Sequence, residues 1–325
     1  MDYLGIDVSK ESLDVKLLLP NQSKKHSEYK NQASGFKKLV RWLKKYKVEE
    51  VHICMEATNV YWEEVAEYLY EQGYQVSVVN PARIKGFAMS QLRRHKTDKV
   101  DAEVIAQFCQ RMEPPLWTPP SPVQRKLRAL VRHQQALQKT LTQQTNRLDT
   151  CTEPTVKISL QLIIDTLIGE MERLQAQIQD FVDHQPDLKR HFDLLISIKG
   201  IGPKTAINLL AEMYDLADYD SARAAAADAG LTPSHYSSGK TVRRKSKLSK
   251  MGKGAVRGFL FFPAQTAMQH NPIVRDLKER LAAQGKDWKV ILCAAMRKLI
   301  HLAYGVLKNQ TPFDPNYLNK PALST

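Results

Sequence analysis

Four carboxylates are placed where an oxygen-rich metal site could form. Asp7 lies inside the apolar run YLGIDVS, and Glu56 ends the apolar run VHICME. Asp98 and Asp101 are three residues apart at the start of a helix-like stretch, so both project from one helix face. A charged group that faces a core is costly unless it is paired, protonated or bound to a metal. Such a cluster offers the oxygen ligands that Mg²⁺ needs for phosphoryl transfer.

Each acid also has an ordinary structural interpretation when it is taken alone. Asp98 is a favourable carboxylate at a helix start, and Asp101 is a solvated residue of the first turn. Glu56 could face a loop at the end of its strand. Asp7 is the hardest to explain in this way, because the short strand around it is apolar. The joint pattern is therefore more specific than any single member.

A second group of residues is basic and contains two adjacent serines, Ser237 and Ser238. HYSSGKTVRRKSKLSKMGKG, residues 235–254, has seven Lys and Arg and no carboxylate. From residue 236 onwards the chain has 17 basic and 4 acidic residues, against 31 and 30 before it. This asymmetry indicates a polyanion-binding domain, although a solubilising surface or a basic tail gives the same count. The apolar stretch GFLFFPAQTAM follows directly, which favours a folded domain.

The basic side chains of this region are candidates for contacts with nucleic-acid phosphates. They are Lys240, Arg243, Arg244, Lys245, Lys247, Lys250, Lys253 and Arg257. His235 and Tyr236 could stack on bases or transfer protons, but packing is the more ordinary role for each. Ser238, taken alone, is an ordinary residue of a basic loop with no catalytic triad in view.

The stretch LLISIKGIGPKTAINLLAEM places Gly200 and Gly202 between two helical patterns, with Pro203 at a first helical position. Glycines before a helix expose backbone N–H groups that bind phosphate, and Lys204 would lie within reach of one. This arrangement resembles the helix-hairpin-helix motif, which contacts the DNA backbone without reading sequence. A tight helix–helix connection without a ligand is the alternative.

The elements that must position these residues change along the chain. Up to the proline-rich stretch EPPLWTPPSP, strand-like and helix-like patterns alternate, which predicts an α/β domain with a mixed sheet. The last 140 or so residues read as mainly helical. We therefore divide the chain into residues 1–118, 119–185 and 186–325.

The middle segment has apolar residues at heptad spacing. They are Leu127, Leu130, Leu137, Leu141 and Leu148, with Gln134 and Gln144 in the gaps, and then Leu160, Ile164, Leu167, Met171, Leu174, Ile178 and Phe181. CTEPT interrupts the two stretches. The pattern is typical of a helical hairpin or a dimerising coiled coil, and ordinary amphipathic helices packed on their own domain remain the alternative.

Composition and cysteine usage predict a cytoplasmic protein. No apolar run approaches the ~18 residues of a membrane span, so we expect no membrane partner. The N-terminus MDYLGIDVSKESLDV has no basic segment followed by an apolar one, unlike a secretory signal. The four cysteines form no CxxC pair, which indicates a reducing compartment.

Three motifs together resemble a known family. GIDVSK, MEATNVYW and KTDKVDA, in this order, are similar to the RuvC-like, RNase H-type domain of the Piv-like DEDD transposases, the recombinases of the insertion-sequence 110 family. The four acids of that family fall on Asp7, Glu56, Asp98 and Asp101. The family often has glycine where this chain has Asn59, in the turn after the glutamate. It usually has proline at the position of Lys199, before the glycine motif.

The resemblance implies a mechanism as well as a fold. The family's proposed nucleophile is a serine followed by glycine, which falls on Ser238 rather than its neighbour Ser237. It implies Mg²⁺ or Mn²⁺ as cofactor and a non-coding bridge RNA that pairs with target and donor DNA. It also implies homo-oligomers, dimers and tetramers, in which acids of one subunit meet the serine of another, in the bacterial cytoplasm at the nucleoid.

Two other functions fit parts of the sequence. A metal-dependent, RuvC-like junction-resolving nuclease would share the acids but use water as the nucleophile. A non-catalytic DNA- or RNA-binding protein would keep an inert domain, but the presence of all four acids argues against it. A covalent protein–DNA intermediate distinguishes the recombinase from the nuclease.

Overall fold

The structure is a computed structural model that describes residues 1–20, 23–46, 48, 50–91, 98–234, 237–238, 242–243, 247–248 and 252–316. For residues 98–100, 234, 237–238, 242–243 and 247 it describes the backbone alone. The chain divides into two compact units, Met1–Pro120 and Ser121–Thr325. This division falls inside EPPLWTPPSP, and the three-part division of the sequence stays a prediction.

Five strands form the sheet of the first unit, in the order β3-β2-β1-β4-β5. They are β1 (Asp2–Val8), β2 (Ser12–Leu18), β3 (Lys24–Lys30), β4 (Val51–Glu56) and β5 (Gln75–Val79). β1 pairs antiparallel with β2, and β2 antiparallel with β3, whereas β1, β4 and β5 are parallel neighbours. The prediction of an α/β unit with a mixed sheet is confirmed.

Helices cover both faces of this sheet. They are α1 (Ala33–Lys45), α2 (Glu63–Glu71), α3 (Pro81–Ser90) and α4 (Asp98–Met112). Because strand side chains alternate between faces, Leu4 and Ile6 pack in one core with residues of α1 and α2. Cys54 packs on the opposite face, in a second core with residues of α3 and α4.

Two elements of this unit have no strong sequence signal. β3, KKHSEYK, is polar throughout because it is an edge strand, where charged side chains are tolerated and block further pairing. α3 begins at Pro81, two residues after the end of β5. Proline fits the first turn of a helix, and the Asn80 side chain caps this one by accepting from the backbone N–H of Ala82 at 2.9 Å.

Two long helices open the second unit, α5 (Pro122–Thr150) and α6 (Pro154–Asp183). They contact each other along a shared apolar face, with Leu160, Ile164 and Ile178 of α6 buried. Gln134 Nε2 donates to Gln175 Oε1 across the pair at 2.7 Å. A coiled coil between two copies of the chain stays a prediction.

In the described part of this unit six further helices and one 3-10 turn, Leu216–Asp218, follow. They are α7 (Pro186–Ile196), α8 (Pro203–Glu212), α9 (Ala222–Asp228), α10 (Gly254–His270), α11 (Pro272–Ala283) and α12 (Trp288–Asn309). Glu212 is buried and accepts from Arg132 Nε at 3.0 Å and Nη2 at 3.2 Å. This bidentate ion pair joins α5 to α8, and the second unit is mainly helical as predicted.

Of the helices in the described ranges, α12 has the length and apolar composition of a membrane span. Half of that apolar stretch is buried inside the protein. The helix contacts α7, α9, α10 and α11, so its apolar residues form the core of the second unit. Core packing therefore accounts for its composition.

Candidate active site

Asp7 and Glu56 lie side by side at the carboxyl ends of two parallel strands. β1 and β4 are paired up to Ile6 and Met55, and the two acids are the next residues on each strand. Neighbouring positions of paired strands share a face, so both carboxylates project on the same side of the sheet. Both side chains are partly buried, and the Thr58 hydroxyl donates to Glu56 Oε1 at 3.5 Å.

α4 covers this face and runs in the direction opposite to β1. A Cβ atom at Gly5 would stand only 2.1 Å from the carbonyl oxygen of Ala102, so helix and strand touch there. Further along α4, Cys109 Sγ donates to the carbonyl of His52 at 3.6 Å, and His52 pairs with Tyr3. Because Tyr3 precedes Gly5, the first turn of α4 lies toward the carboxyl end of β1, where Asp7 is.

That first turn carries the other two predicted acids. Asp101 is partly buried, and Asp98 is the first residue of α4, with its backbone alone described. Three elements, β1, β4 and α4, thus bring their acids toward one edge of the sheet. Among the described side chains, which do not include that of Asp98, no three His, Cys, Asp or Glu residues lie close enough together to hold a metal ion. The donors are all carboxylates, the type that Mg²⁺ prefers.

Asp14 is an acidic neighbour of this edge that the sequence did not reveal. It lies opposite Asp7 on β2, is only 9% exposed, and is itself opposite Glu28 on β3. His26 Nε2 lies 3.0 Å from Asp14 Oδ1. Like charges in opposite positions destabilise a sheet, and the contact with His26 offsets this for Asp14. The acid inside the apolar run SLDVKLL was the available signal, since it repeats the pattern around Asp7.

Glu103 forms ion pairs that join α4 to the antiparallel strands β2 and β3. Its carboxylate lies 2.8 Å from Lys24 Nζ and 3.5 Å from Lys16 Nζ. Burial alone would raise the pKa of Glu103, but the hydrogen bond and charge of Lys24, together with Lys16, outweigh it and lower this pKa below its ordinary value. The helix that carries Asp98 and Asp101 is thus fixed by an ion pair as well as by packing.

The serine region forms nested strand pairs, which we call the serine hairpin. Its strands are β6 (Pro233–Ser234), β7 (Ser237–Ser238), β8 (Val242–Arg243) and β9 (Lys247–Leu248). β6 pairs antiparallel with β9, and β7 antiparallel with β8 inside them. Ser238 lies opposite Val242 in the inner pair. Its backbone is therefore in a strand, which corrects the interpretation of Ser238 as a loop residue, while its side chain is outside the described part.

The glycine motif connects α7 to α8. Gly200 has a φ of +105°, and a Cβ atom there would stand 2.6 Å from that of Ala267, so glycine is needed for the close approach of α10. Gly202 caps α8 without a side chain, and it is exposed together with Lys204. The two helices and their short connection are present, whereas contact of this loop with nucleic acid stays a prediction.

Two family profiles match these regions. A DEDD transposase family, described as transposase, matches residues 4–153, and the transposase IS116/IS110/IS902 family matches residues 192–279. The pilin gene-inverting protein of Moraxella bovis is 32% identical over 319 residues, which cover 96% of this chain and 97% of that protein. This chain belongs to the IS110 transposase family. It is accordingly a DNA transposase or recombinase.

Other relatives of this IS110-family transposase are more distant. The transposase for insertion sequence element IS1328 of Yersinia enterocolitica is 26% identical over 291 residues, covering 77% of this chain and 81% of that protein. Among solved structures, T. thermophilus RuvC in complex with a Holliday junction substrate aligns with 34% of this chain and 96% of its own, at 15% identity and a TM-score of 0.25.

The two matched segments divide the predicted site residues of the transposase between them. The first contains the four acids, and the second contains Gly200, Gly202 and Ser238. The acids and the serine thus lie in different compact units.

The predicted phosphate contacts have different outcomes. Lys253 Nζ lies 2.8 Å from Asp228 Oδ2, so its ammonium already has a carboxylate partner. Arg257 is partly buried on α10, and its Nη1 has no hydrogen-bond partner among the described residues. Arg243 and Lys247 are described by their backbones on β8 and β9. The predictions for Lys240, Arg244, Lys245 and Lys250, and those for His235 and Tyr236, lie outside the described residues.

Proposed function

We propose that this transposase recombines DNA through attack of Ser238 on a phosphodiester, with its four acids holding a divalent metal. The observation that supports the metal site best is the adjacency of Asp7 and Glu56 in parallel register, with the first turn of α4 directed to the same edge. Ser238 as nucleophile rests on the glycine that follows it and on the resemblance to the family.

The proposed step exchanges one phosphate ester for another. The Ser238 oxygen bonds to phosphorus and gives up its proton to solvent, while one P–O bond of the DNA strand breaks and the departing deoxyribose oxygen takes up a proton. Asp7, Glu56, Asp98 and Asp101 would hold Mg²⁺ or Mn²⁺, which stabilises negative charge on phosphate oxygens when bound. The reverse step, on a different deoxyribose hydroxyl, rejoins the strands without an external energy source.

The nucleic-acid partners are proposed from charge and from the family. The chain from residue 236 onwards has an excess of 13 positive charges, 17 basic residues less 4 acidic ones, which suits binding to both DNA and RNA. We propose target and donor DNA as substrates and a bridge RNA as guide. Nucleic acid that co-purifies from expressing cells tests this: one defined RNA encoded beside the gene supports guidance, and random fragments contradict it.

The nucleophile is tested by trapping a covalent protein–DNA adduct. Purified protein, guide RNA and end-labelled DNA are incubated with Mg²⁺ and separated under denaturing conditions. We expect an adduct in the wild type and in Ser237→Ala, and none in Ser238→Ala, in Asp7→Asn or with EDTA. Free DNA ends without an adduct would identify a junction-resolving nuclease that uses water. An adduct that persists in Ser238→Ala rules out this serine.

A further inference from the structure

The two ends of the serine hairpin meet at a pair of glycines, Gly230 and Gly252. Both have positive φ, +70° and +120°. A Cβ atom at Gly252 would stand 2.3 Å from the carbonyl oxygen of Asp228 and 2.7 Å from the backbone nitrogen of Gly230, so only glycine allows this approach. The backbone N–H of Lys253 then donates to the carbonyl of Asp228 at 2.7 Å. The hairpin therefore leaves and re-enters the helical unit at one point.

Three side chains, which we call the hairpin clamp, converge at this point: Tyr219, Asp228 and Lys253. The Tyr219 hydroxyl donates to Asp228 Oδ2 at 2.5 Å, and Lys253 Nζ lies 2.8 Å from the same oxygen. Burial raises the pKa of Tyr219, and the adjacent Asp228 raises it further, so the hydroxyl keeps its proton as a donor. Tyr304 of α12 donates to the carbonyl of Tyr219 at 3.2 Å, which connects the clamp to the helical core.

Both charges of the clamp lie at helix ends that disfavour them. Asp228 is the last residue of α9, where the helix dipole is negative, and Lys253 is the N-cap of α10, where the dipole is positive. Neither residue therefore stabilises its own helix through the dipole. Each is compensated by the other across the root of the hairpin, which points to a role in holding the two chain ends together.

We propose that Tyr219, Asp228 and Lys253 are positioning residues that fix the root of the serine hairpin and thereby orient Ser238 for attack. This inference rests on the proposed function for the identity of the nucleophile. The ion pair of Asp228 and Lys253, supported by the Tyr219 hydrogen bond, holds together the two points at which the hairpin leaves and re-enters the helical unit. A displacement of about 1 Å in a reacting group can slow a reaction by about 100-fold.

Asp228→Asn is the primary test, because it removes the charge and keeps the shape. Single-turnover adduct formation is measured against DNA concentration at saturating guide RNA. We expect the maximal rate constant to fall by roughly 10- to 100-fold, with the half-saturating DNA concentration unchanged. Asp187→Asn is the matched control: Asp187 pairs with Arg190 at 3.0 Å on the exposed start of α7, takes no part in the clamp, and should keep wild-type kinetics.

A charge exchange separates positioning from other roles. Asp228→Lys combined with Lys253→Asp reverses the pair and places each charge at the helix end that favours it. We expect this double variant to fold and to recover much of the rate lost in Asp228→Lys alone. If the double variant does not recover the rate, the proposed role of the ion pair is wrong. A change confined to the half-saturating DNA concentration would also overturn the proposal, because it would make Lys253 a phosphate contact.

Limited trypsin digestion gives a readout that does not depend on the nucleophile. Arg243 and Lys247 are cleavage sites within the serine hairpin. We expect faster cleavage there in Asp228→Asn and Tyr219→Phe than in Asp187→Asn, at equal melting temperature. Unchanged cleavage with an unchanged rate constant overturns the clamp. An adduct in Ser238→Ala instead overturns the proposed function and leaves the digestion result as an independent test of the clamp.

Discussion

A row of acids crosses the sheet of the first unit: Glu28, Asp14 and Asp7 lie opposite one another on three strands, and Glu56 follows beside Asp7 on a fourth. Negative charges this close repel one another unless a cation lies between them. His26 supplies a partner for Asp14. A divalent metal bound at this edge would neutralise several of these carboxylates at once.

Metal binding should therefore stabilise the folded protein even when no reaction takes place. A ligand present at 100 times its Kd stabilises the folded state by about 2.7 kcal/mol. We expect Mg²⁺ to raise the melting temperature of the wild type and of Glu64→Gln, an exposed acid on α2, measured by calorimetry without nucleic acid. The shift should be lost in Asp7→Asn. An equal shift in all three proteins would contradict a metal site at this edge.

Gly5 is the contact point that sets the distance of α4 from the sheet. A Cβ atom there would overlap the carbonyl of Ala102, which is backbone and cannot move aside by itself. We expect Gly5→Ala to lower the free energy of unfolding by about 1–3 kcal/mol and to reduce strand cleavage by displacing Asp101. Gly86→Ala is the control, since nothing lies within 4 Å of its Cβ position on α3 and alanine favours helix there. Urea denaturation compares the two.

At the level of elements, α4 depends on a carboxylate for part of its attachment to the sheet. The pKa of Glu103 is lower in the folded protein than its ordinary value of 4.5. The ion pair therefore stabilises the folded state at pH values above 4.5, and this contribution is lost as the pH falls through the folded pKa. We expect Glu103→Gln to lose about 1 kcal/mol at pH 7. The difference from wild type should shrink as the pH is lowered below 4.5, measured by urea denaturation. A difference that is constant with pH contradicts this account.

Variants of α6 can show whether two copies of the chain associate through the middle segment. Ile158 and Leu162 are 73% and 68% exposed on the side of α6 away from α5, and apolar residues at this spacing form one stripe. If a coiled coil forms there between two copies, Leu162→Glu should weaken self-association by about 10-fold, since it buries a charge. Gln161→Glu adds the same charge at the adjacent, already polar position. Sedimentation velocity distinguishes the two; equal behaviour excludes this face from the contact.

Element by element, the sequence was informative where the pattern is local. The apolar strands around Asp7 and Glu56 and the long helices have clear periodicity, so they were predictable. β3 and the serine hairpin are held by cross-strand pairing, to β2 and within the hairpin, and their polar composition resembles that of loops. Asp14 belonged to the site only through the register of β2 against β1, which no local pattern fixes.

For the whole molecule, the acids and the serine lie in separate compact units of one chain. The family resemblance implies that acids of one subunit act with the serine of another. Asp7→Asn and Ser238→Ala chains are co-expressed, so that about half of the dimers contain one chain of each kind if they mix at random. In such a dimer one of the two shared sites has both its acids and its serine intact. We therefore expect adduct formation to recover to about a quarter of the wild-type level. Each variant alone should be inactive. No recovery after co-expression would place acids and serine of one chain in one site.

α12 also determines when the second unit can fold. It follows every other described helix in chain order, and its buried residues complete the core of α7, α9, α10 and α11. A ribosome must therefore synthesise Trp288–Asn309 before this core can close, whereas the sheet unit has all its strands much earlier. Chains that stop before α12 would expose a broad apolar surface and be removed by proteases or aggregate. Truncated copies of the transposase gene should thus yield little soluble protein that could compete with the intact transposase.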